Sequence, residues 1–488
     1  MGTLKSAWEL ASERIIVSRY ARDNEIAAKK RKLLEQERLA SMPDFVAAWE
    51  RSQKDDFELG LDGQLGVEDV RDNPTKYIHK EDEDYEDYED NRYVEGSENI
   101  IVQEPENITI KDPIELHWYG HFTSYSGFSR MNRAMVFGLA NRNLKIKLDI
   151  QRSSVDINKA THRELKRMEA IDISPSAPKI FGATIPLSMS HGGKKILYTM
   201  MENDQTLHKE YVERLNLFDE IWVPTKYGEQ MFKRNGVTRN VLVMPLGVET
   251  SRYHSNVKPL ELGGLGGFRF ISVFKWGYRK GYDILLKAYM EEFSSQDDVS
   301  LILVSRSDTD NNPKRIAEDF QAVRMGIDKK NEDLPHVSLY DKPIAERNMP
   351  SVYRMGDAFV LISRGEGFGL PYYEAASCGL PIIGSNCSGQ SDLLTEENSY
   401  LVDPDDYVTA KINGPLSKLA KHCRFYEDQV FPDFGPTAIM KTREHMRDVF
   451  ENYDKAVNKA AILQKHVRAN YSWDTAVGRV FDRIQNII

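Results

Sequence analysis

Ser363-Arg364-Gly365-Glu366-Gly367-Phe368-Gly369-Leu370-Pro371-Tyr372-Tyr373-Glu374-Ala375-Ala376-Ser377-Cys378-Gly379-Leu380-Pro381 lies between two apolar runs, residues 358–362 and 381–384. Each run has the length and composition of a buried strand. Between them the sequence predicts a helix. It begins at Pro371, because proline suits the first helical position, and stops at Gly379, which suits a left-handed cap. Two carboxylates frame its start, Glu366 in the incoming loop and Glu374 in the first turn. The amides of Gly367, Phe368, Gly369 and Leu370 gather at the positive end of the helix dipole, where an anion is favoured.

Carboxylates beside an anion site fit one ligand class well. A nucleotide sugar carries a diphosphate that needs amide and cationic donors, and hydroxyls that need acceptors. A carboxylate can take both hydroxyls of a ribose diol through charge-assisted hydrogen bonds. Taken singly, Glu374 only complements the helix dipole and Glu366 is a solvated loop residue. The combination favours the ligand.

The Glu-x7-Glu spacing, the small-residue helix and the Gly-Leu-Pro after it resemble glycosyltransferase family 4, retaining enzymes of the GT-B fold. The resemblance covers residues 112–488 and implies an α/β chain with two Rossmann-like, doubly wound domains facing a cleft. In that family the second glutamate holds the ribose and the first contacts the transferred sugar, which gives Glu374 and Glu366 those roles. The implied division is an acceptor domain over 111–258, a nucleotide-sugar domain over 259–465, and a helix over 466–488 crossing back to the first domain. The implied donor is a UDP- or GDP-sugar, the acceptor a hydroxyl on a glycan, lipid-linked carrier or protein.

Composition agrees with two such domains. The chain has 488 residues and 41% hydrophobic side chains, enough for two α/β cores. Its net charge of -10 is concentrated in residues 81–90, which hold eight carboxylates and no base. No basic stripe points to nucleic acid. The three cysteines, Cys378, Cys387 and Cys423, form no Cys-x-x-Cys pair, which fits a reducing compartment and neither a disulfide framework nor a zinc site. No apolar run reaches membrane-spanning length. The expectation is a cytoplasmic protein with at most peripheral membrane contact. Residues 1–60 read as a charged helical extension and 61–110 as an acidic, partly disordered linker. This extension could engage a protein partner or a second copy. Met1-Gly2-Thr3-Leu4-Lys5-Ser6 fits the short myristoylation pattern.

From residue 114 the pattern alternates. A strand at 114–118 leads into Tyr119-Gly120-His121-Phe122-Thr123-Ser124-Tyr125-Ser126-Gly127-Phe128-Ser129-Arg130, then a helix to Asn141 and a strand at 144–150. This is a βα unit of a doubly wound sheet. The loop lacks a three-glycine dinucleotide fingerprint, which argues against NAD. It resembles the family's first glycine loop, so Gly120 and Gly127 are expected to approach the donor phosphates; as plain turn residues they would need no ligand. Residues 240–249 resemble the Pro-x-Gly-Val-Asp signature closing the first domain, with Glu249 replacing the aspartate, and 262–267 read as a hinge.

The second domain opens with a strand at 268–274 and the loop Lys275-Trp276-Gly277-Tyr278-Arg279-Lys280-Gly281. The family pattern has an arginine five residues before a Lys-Gly pair, both cations gripping the diphosphate. Lys280-Gly281 matches, Lys275 replaces the arginine without its bidentate fork, and Arg279 competes for the role. Strands follow at 301–305 and 336–340, and by family analogy the loop after Tyr340 lies near the base. A histidine common in the family after a central strand of the first domain is missing. Glu202 or Asn203 stands there, with Glu202 the expected sugar contact; His191, His117 and His121 are alternatives. Residues 405–462 read as surface helices without chemistry.

In a retaining transfer the acceptor attacks the face that the diphosphate leaves, and the departing phosphate oxygen takes its proton. The protein must then neutralise the leaving group, which amides and lysines can do, so no metal and no permanently bound cofactor are required. Two other readings remain: a nucleotide-sugar epimerase on the same fold, and a non-catalytic scaffold engaging partners through residues 1–110.

Overall fold

The computed structural model describes residues 113–487 apart from 125, 152–156, 158, 185–191, 261–266, 308–312 and 343. The predicted extension and linker, the myristoylation pattern, His191 and most of the predicted hinge lie outside the described residues. The described residues form two parallel sheets with helices between the strands. The first contains β1 (Glu115–His121), β2 (Lys145–Gln151), β3 (Lys179–Gly182), β4 (Lys195–Tyr198), β5 (Glu220–Val223) and β6 (Asn240–Val243), in the order β2-β1-β3-β4-β5-β6. Helices α1 (Gly127–Ala140), α2 (Lys159–Glu169), α3 (Lys209–Leu215) and α4 (Lys226–Arg234) connect them.

The second sheet contains β7 (Phe268–Trp276), β8 (Val299–Ser307), β9 (His336–Tyr340), β10 (Ala358–Leu361), β11 (Ile382–Ser385) and β12 (Tyr400–Val402), ordered β12-β11-β10-β7-β8-β9. Helices α5 (Tyr282–Glu292), α6 (Pro313–Arg324), α7 (Met349–Tyr353) and α8 (Leu370–Ser377) alternate with these strands. Every residue of β10 is buried, as expected of a parallel strand covered on both faces.

Strand order places the functional loops. In open parallel sheets, ligands bind beyond the carboxyl ends of the strands where the winding direction reverses. In the second sheet that point lies between β7 and β10, so the loop from Gly277 to Gly281 and the loop from Ile362 to Gly369 emerge side by side. In the first sheet it lies between β1 and β3, where the loop between His121 and Gly127 emerges.

Several element edges differ from the sequence reading. β1 runs on to His121, so Gly120 is a strand residue. β7 runs on to Trp276, so Lys275 lies within a strand rather than opening a loop. Helix α8 begins at Leu370, with Gly369 in the left-handed region at φ 85°, so Glu374 falls in the second turn. The segment read as surface helices also holds an antiparallel hairpin, β13 (Asp406–Thr409) with β14 (Val430–Asp433), and the short helix α9 (Ser417–His422) between them. Its own core includes Leu419, Tyr426 and Phe431. Residues of this type were legible as apolar, but nothing local marked the pairing of strands separated by a helix.

After the hairpin come α10 (Pro436–Glu451), α11 (Tyr453–Asn470) and α12 (Trp473–Gln485). Helix α12 returns to the first sheet domain. Val477 fills the space above Gly138 of α1, and Arg483 pairs with the buried Glu220 of β5. The Pro-x-Gly-Val segment receives it: a Cβ on Gly247 would lie 2.5 Å from the Trp473 nitrogen.

Candidate active site

The β7 and β10 loops are bound into one unit before any ligand is considered. Arg364 is 1% exposed, forms a two-pronged pair with Asp283 at 2.8 Å on each arm, and covers the Tyr278 ring at 3.9 Å. Its backbone N–H donates to the Arg279 carbonyl at 2.7 Å. Bonded through its two terminal nitrogens, with Nε left without a hydrogen-bond partner, this buried arginine holds the two loops in register.

Gly281 makes this contact sterically workable. Its φ is 67°, and a Cβ there would lie 1.8 Å from the Ile362 carbonyl oxygen. Gly281→Ala combines left-handed strain with a backbone clash. The expected loss is about 3 kcal/mol or more of stability, read as a several-degree fall in Tm; a melting curve matching the parent would contradict it.

On this frame sit the predicted sugar-contacting carboxylate and the predicted diphosphate cation. Glu366 is 5% exposed. Its Oε1 accepts from Lys280 Nζ at 2.6 Å and from Ser363 Oγ at 2.8 Å, while Arg279 stands 3.7 Å from Oε2. Burial alone would raise the carboxyl's pKa, but the Lys280 and Arg279 cations outweigh it and hold the group below the usual range. Burial pushes Lys280 down, and its Glu366 partner offsets only part of that. Arg279 also donates to the Gly365 carbonyl and approaches Glu202 at 3.8 Å.

Glu374 is 2% exposed and faces the first domain. Its Oε2 accepts from Tyr353 Oη at 2.7 Å, and its Oε1 accepts from Arg130 in the first turn of α1. Phe368 stacks on Tyr373 with ring centroids 3.9 Å apart, which fixes the loop of Gly367, Phe368, Gly369 and Leu370 onto its helix.

The other candidates divide. Glu202 is brought in: beside Arg279, it accepts from Tyr426 Oη of the hairpin segment at 3.4 Å. Its carbonyl oxygen would lie 1.7 Å from a Cβ on Gly365, so the two domains touch here, backbone on backbone. Gly127 heads α1 with nothing within 4 Å of where its Cβ would be, leaving room for an approaching group. Gly120 does not open a space. Its Cβ position is taken by Asn132, whose amide ties together Trp118, the His121 carbonyl and the Gly182 carbonyl. Close packing at the β1–β3 junction accounts for that glycine. Lys275 is exposed and in register with Arg306, outside the Glu366 cluster. Arg279 takes the place beside Glu366 that the sequence pattern offered to it as a competitor.

His117 is half-buried, hydrogen-bonded to Tyr119 at 2.9 Å, and pushed down to about 4 by burial and by Lys147 and Lys179. These partners lie outside the cluster. Arg130 and Tyr426 were missed as site residues by sequence reasoning. Both meet their partners across more than 200 positions of chain, and only the place of Arg130 in the first turn after the glycine loop hinted at it. Among the described residues no group of three or more His, Cys, Asp or Glu side chains is disposed to hold a metal.

Residues 267–416 match the family described as Glycosyl transferases group 1. The probable sucrose-phosphate synthase 5 of Oryza sativa subsp. japonica is 33% identical over 158 residues, covering 30% of this chain and 15% of that protein. The chain thus spans only a small part of that relative's length. Among solved structures, a sucrose-phosphate synthase from Thermosynechococcus elongatus superposes with a TM-score of 0.56 at 14% identity, over 76% of this chain and 98% of that one. The Anabaena HepE protein, solved with UDP and glucose, superposes at 0.51 with 12% identity, over 76% and 100%. Two parallel six-stranded sheets with these neighbours define the GT-B architecture. The match to the group 1 glycosyltransferases lies in the second sheet domain, which carries Glu366, Glu374 and Lys280.

Proposed function

We propose that this protein is a retaining glycosyltransferase that moves a hexose from a nucleotide diphosphate sugar to a hydroxyl acceptor. The observation that carries the reading is the grouping of Glu366, Lys280 and Arg279 at the β7–β10 reversal point, one turn of helix from Glu374. Glu374 takes the ribose diol and Glu366 orients the transferred sugar. Lys280, Arg279 and the amides of Gly367, Phe368 and Gly369 receive the diphosphate, with Lys275 and the open start of α1 at Gly127 further along its path. The acceptor hydroxyl enters from the first domain beside Glu202. It attacks the face from which the diphosphate departs, and a phosphate oxygen of the leaving group takes its proton. Fixed cations and amides stabilise the charge that develops there, and no reorganisation is needed at the moment of reaction. Contact between Glu202 and Gly365 keeps water from the reacting carbon.

HepE was solved with UDP and glucose, which makes a UDP-sugar the first donor to try and a GDP-sugar the second. No described helix is long and apolar enough to cross a membrane, and the scattered cysteines suit the cytoplasm. Thermal melting against a panel of nucleotide sugars tests the proposal, because a ligand at 100 times its Kd adds about 2.7 kcal/mol of stability. At least one UDP- or GDP-sugar is expected to raise Tm, and nucleoside diphosphate release is expected to need an acceptor. A panel without any shift would overturn the reading; release of nucleotide without acceptor dependence would favour an epimerase-like or hydrolytic course.

A further inference from the structure

Both carboxylate oxygens of Glu374 carry a partner. Tyr353, itself buried, holds Oε2 from the same domain, while Arg130 of the other domain holds Oε1. Each oxygen could accept a second hydrogen bond, but at 2% exposure the carboxylate has no open face, so a ribose diol reaches it only if one of these partners moves aside. Tyr353 is fixed within the α7–α8 packing and aligned edge-on to Tyr253 at 6.0 Å, so it stays. Arg130 is 23% exposed and comes from the opposite side of the cleft. It also has a second seat: its Nε stands 3.5 Å from Glu346, a carboxylate 42% exposed that Arg133 approaches at 3.7 Å. Leaving Glu374 therefore does not strand the guanidinium without a counter-charge.

We infer that Arg130 is a positioning residue that occupies the ribose-binding carboxylate in the empty cleft, ties the two domains together there, and yields to the incoming donor. The inference rests on the assignment of Glu374 to the ribose. Arg130 lies in the first turn of α1, three residues after Gly127, whose surroundings are open. Once displaced it remains on Glu346 at the mouth of the cleft, on the side where the helix start favours the donor's phosphates. The empty protein thus keeps a buried carboxylate neutralised, and donor affinity is set by an exchange of partners rather than by addition to a vacant site.

Competition of this kind raises the apparent Kd by the inverse of the fraction of time Glu374 is free, about tenfold if that fraction is one tenth. The test is calorimetric titration of UDP and GDP, and of their 2′,3′-dideoxy analogues, into the parent protein and Arg130→Gln. The variant is expected to bind the ribonucleotide about tenfold more tightly and the dideoxy analogue no differently. Equal or weaker ribonucleotide binding, or the same change with the analogue, would overturn the inference. A merely structural role for Arg130 would move both nucleotides alike. Arg130→Lys, which keeps the charge but not the reach, is expected to tighten binding by a smaller factor, and it carries the test alone if the glutamine variant does not fold. If the parent binds neither nucleotide, the donor assignment fails first and this inference with it.

Discussion

Lys280→Ala is expected to lower the rate of sugar transfer by about 10²–10³-fold, the range seen when one preorganised charge-stabilising donor is lost. Lys280 lies 2.6 Å from Glu366 and is backed by Arg279, so its removal takes away a cation and leaves a buried carboxylate half-compensated. Glu366→Gln is expected to cost about as much, because the amide can no longer orient a sugar hydroxyl as a charged acceptor. The informative result is the double variant. Groups in direct contact couple, so the pair of substitutions should cost much less than the product of the single losses. Steady-state rates on a fixed donor and acceptor, with melting curves alongside, provide the check. Fully multiplicative losses would mean that the two residues serve separate steps.

A second large effect is expected from a single methyl group. Gly365→Ala would put a Cβ 1.7 Å from the Glu202 carbonyl oxygen, well inside van der Waals contact. Neither domain needs this contact to fold, since Gly365 and Glu202 come from different sheets. The clash should be relieved by the domains parting there by an ångström or more. A misplacement of that size costs about 10²-fold in rate when it separates donor from acceptor. Nucleotide binding draws mainly on Glu374, Lys280 and the amides after β10, all on one domain, and parting the domains can only loosen the competing hold of Arg130 on Glu374, so the affinity should not fall. The predicted pattern is therefore a large fall in kcat with no loss of nucleotide affinity. An unchanged kcat would show that the contact between Glu202 and Gly365 plays no part in catalysis.

Much of the second domain was legible because its signals are local. Residues 336–340 read as a strand and form one, His336–Tyr340. The β10–α8–β11 unit was read to within a residue or two, since an apolar run, three glycines and a proline each act over a few positions. Edges set by tertiary pairing were less legible. Gly120 was read as a loop glycine because glycine marks turns, yet β1 continues through it to pair with Ile150 and Gly182. Hydrogen bonding to two neighbouring strands outweighs the local preference there.

The site itself was half readable. Glu366, Glu374 and Lys280 belong to motifs, so their spacing announced them. Arg130 and Tyr353 reach Glu374, and Tyr426 reaches Glu202, from other elements, and no periodicity links a residue in α1 to one in α8. Residues 405–462 were read as inert because charge and helix formers dominate their composition. The hairpin folded within them brings Tyr426 to Glu202, a contact that depends on β13 pairing with β14.

The central claim is that Glu374 grips the donor's ribose, and a cycle of four affinities tests it most directly. The parent protein and Glu374→Ala are each titrated with the preferred nucleoside diphosphate and with its 2′,3′-dideoxy form. If the carboxylate holds the diol, removing the hydroxyls weakens binding to the parent by about 10–100-fold, as for a charge-assisted hydrogen-bonded pair, and leaves binding to Glu374→Ala unchanged. Equal weakening in both proteins would mean that the ribose lies elsewhere, and the account of the cleft would be wrong.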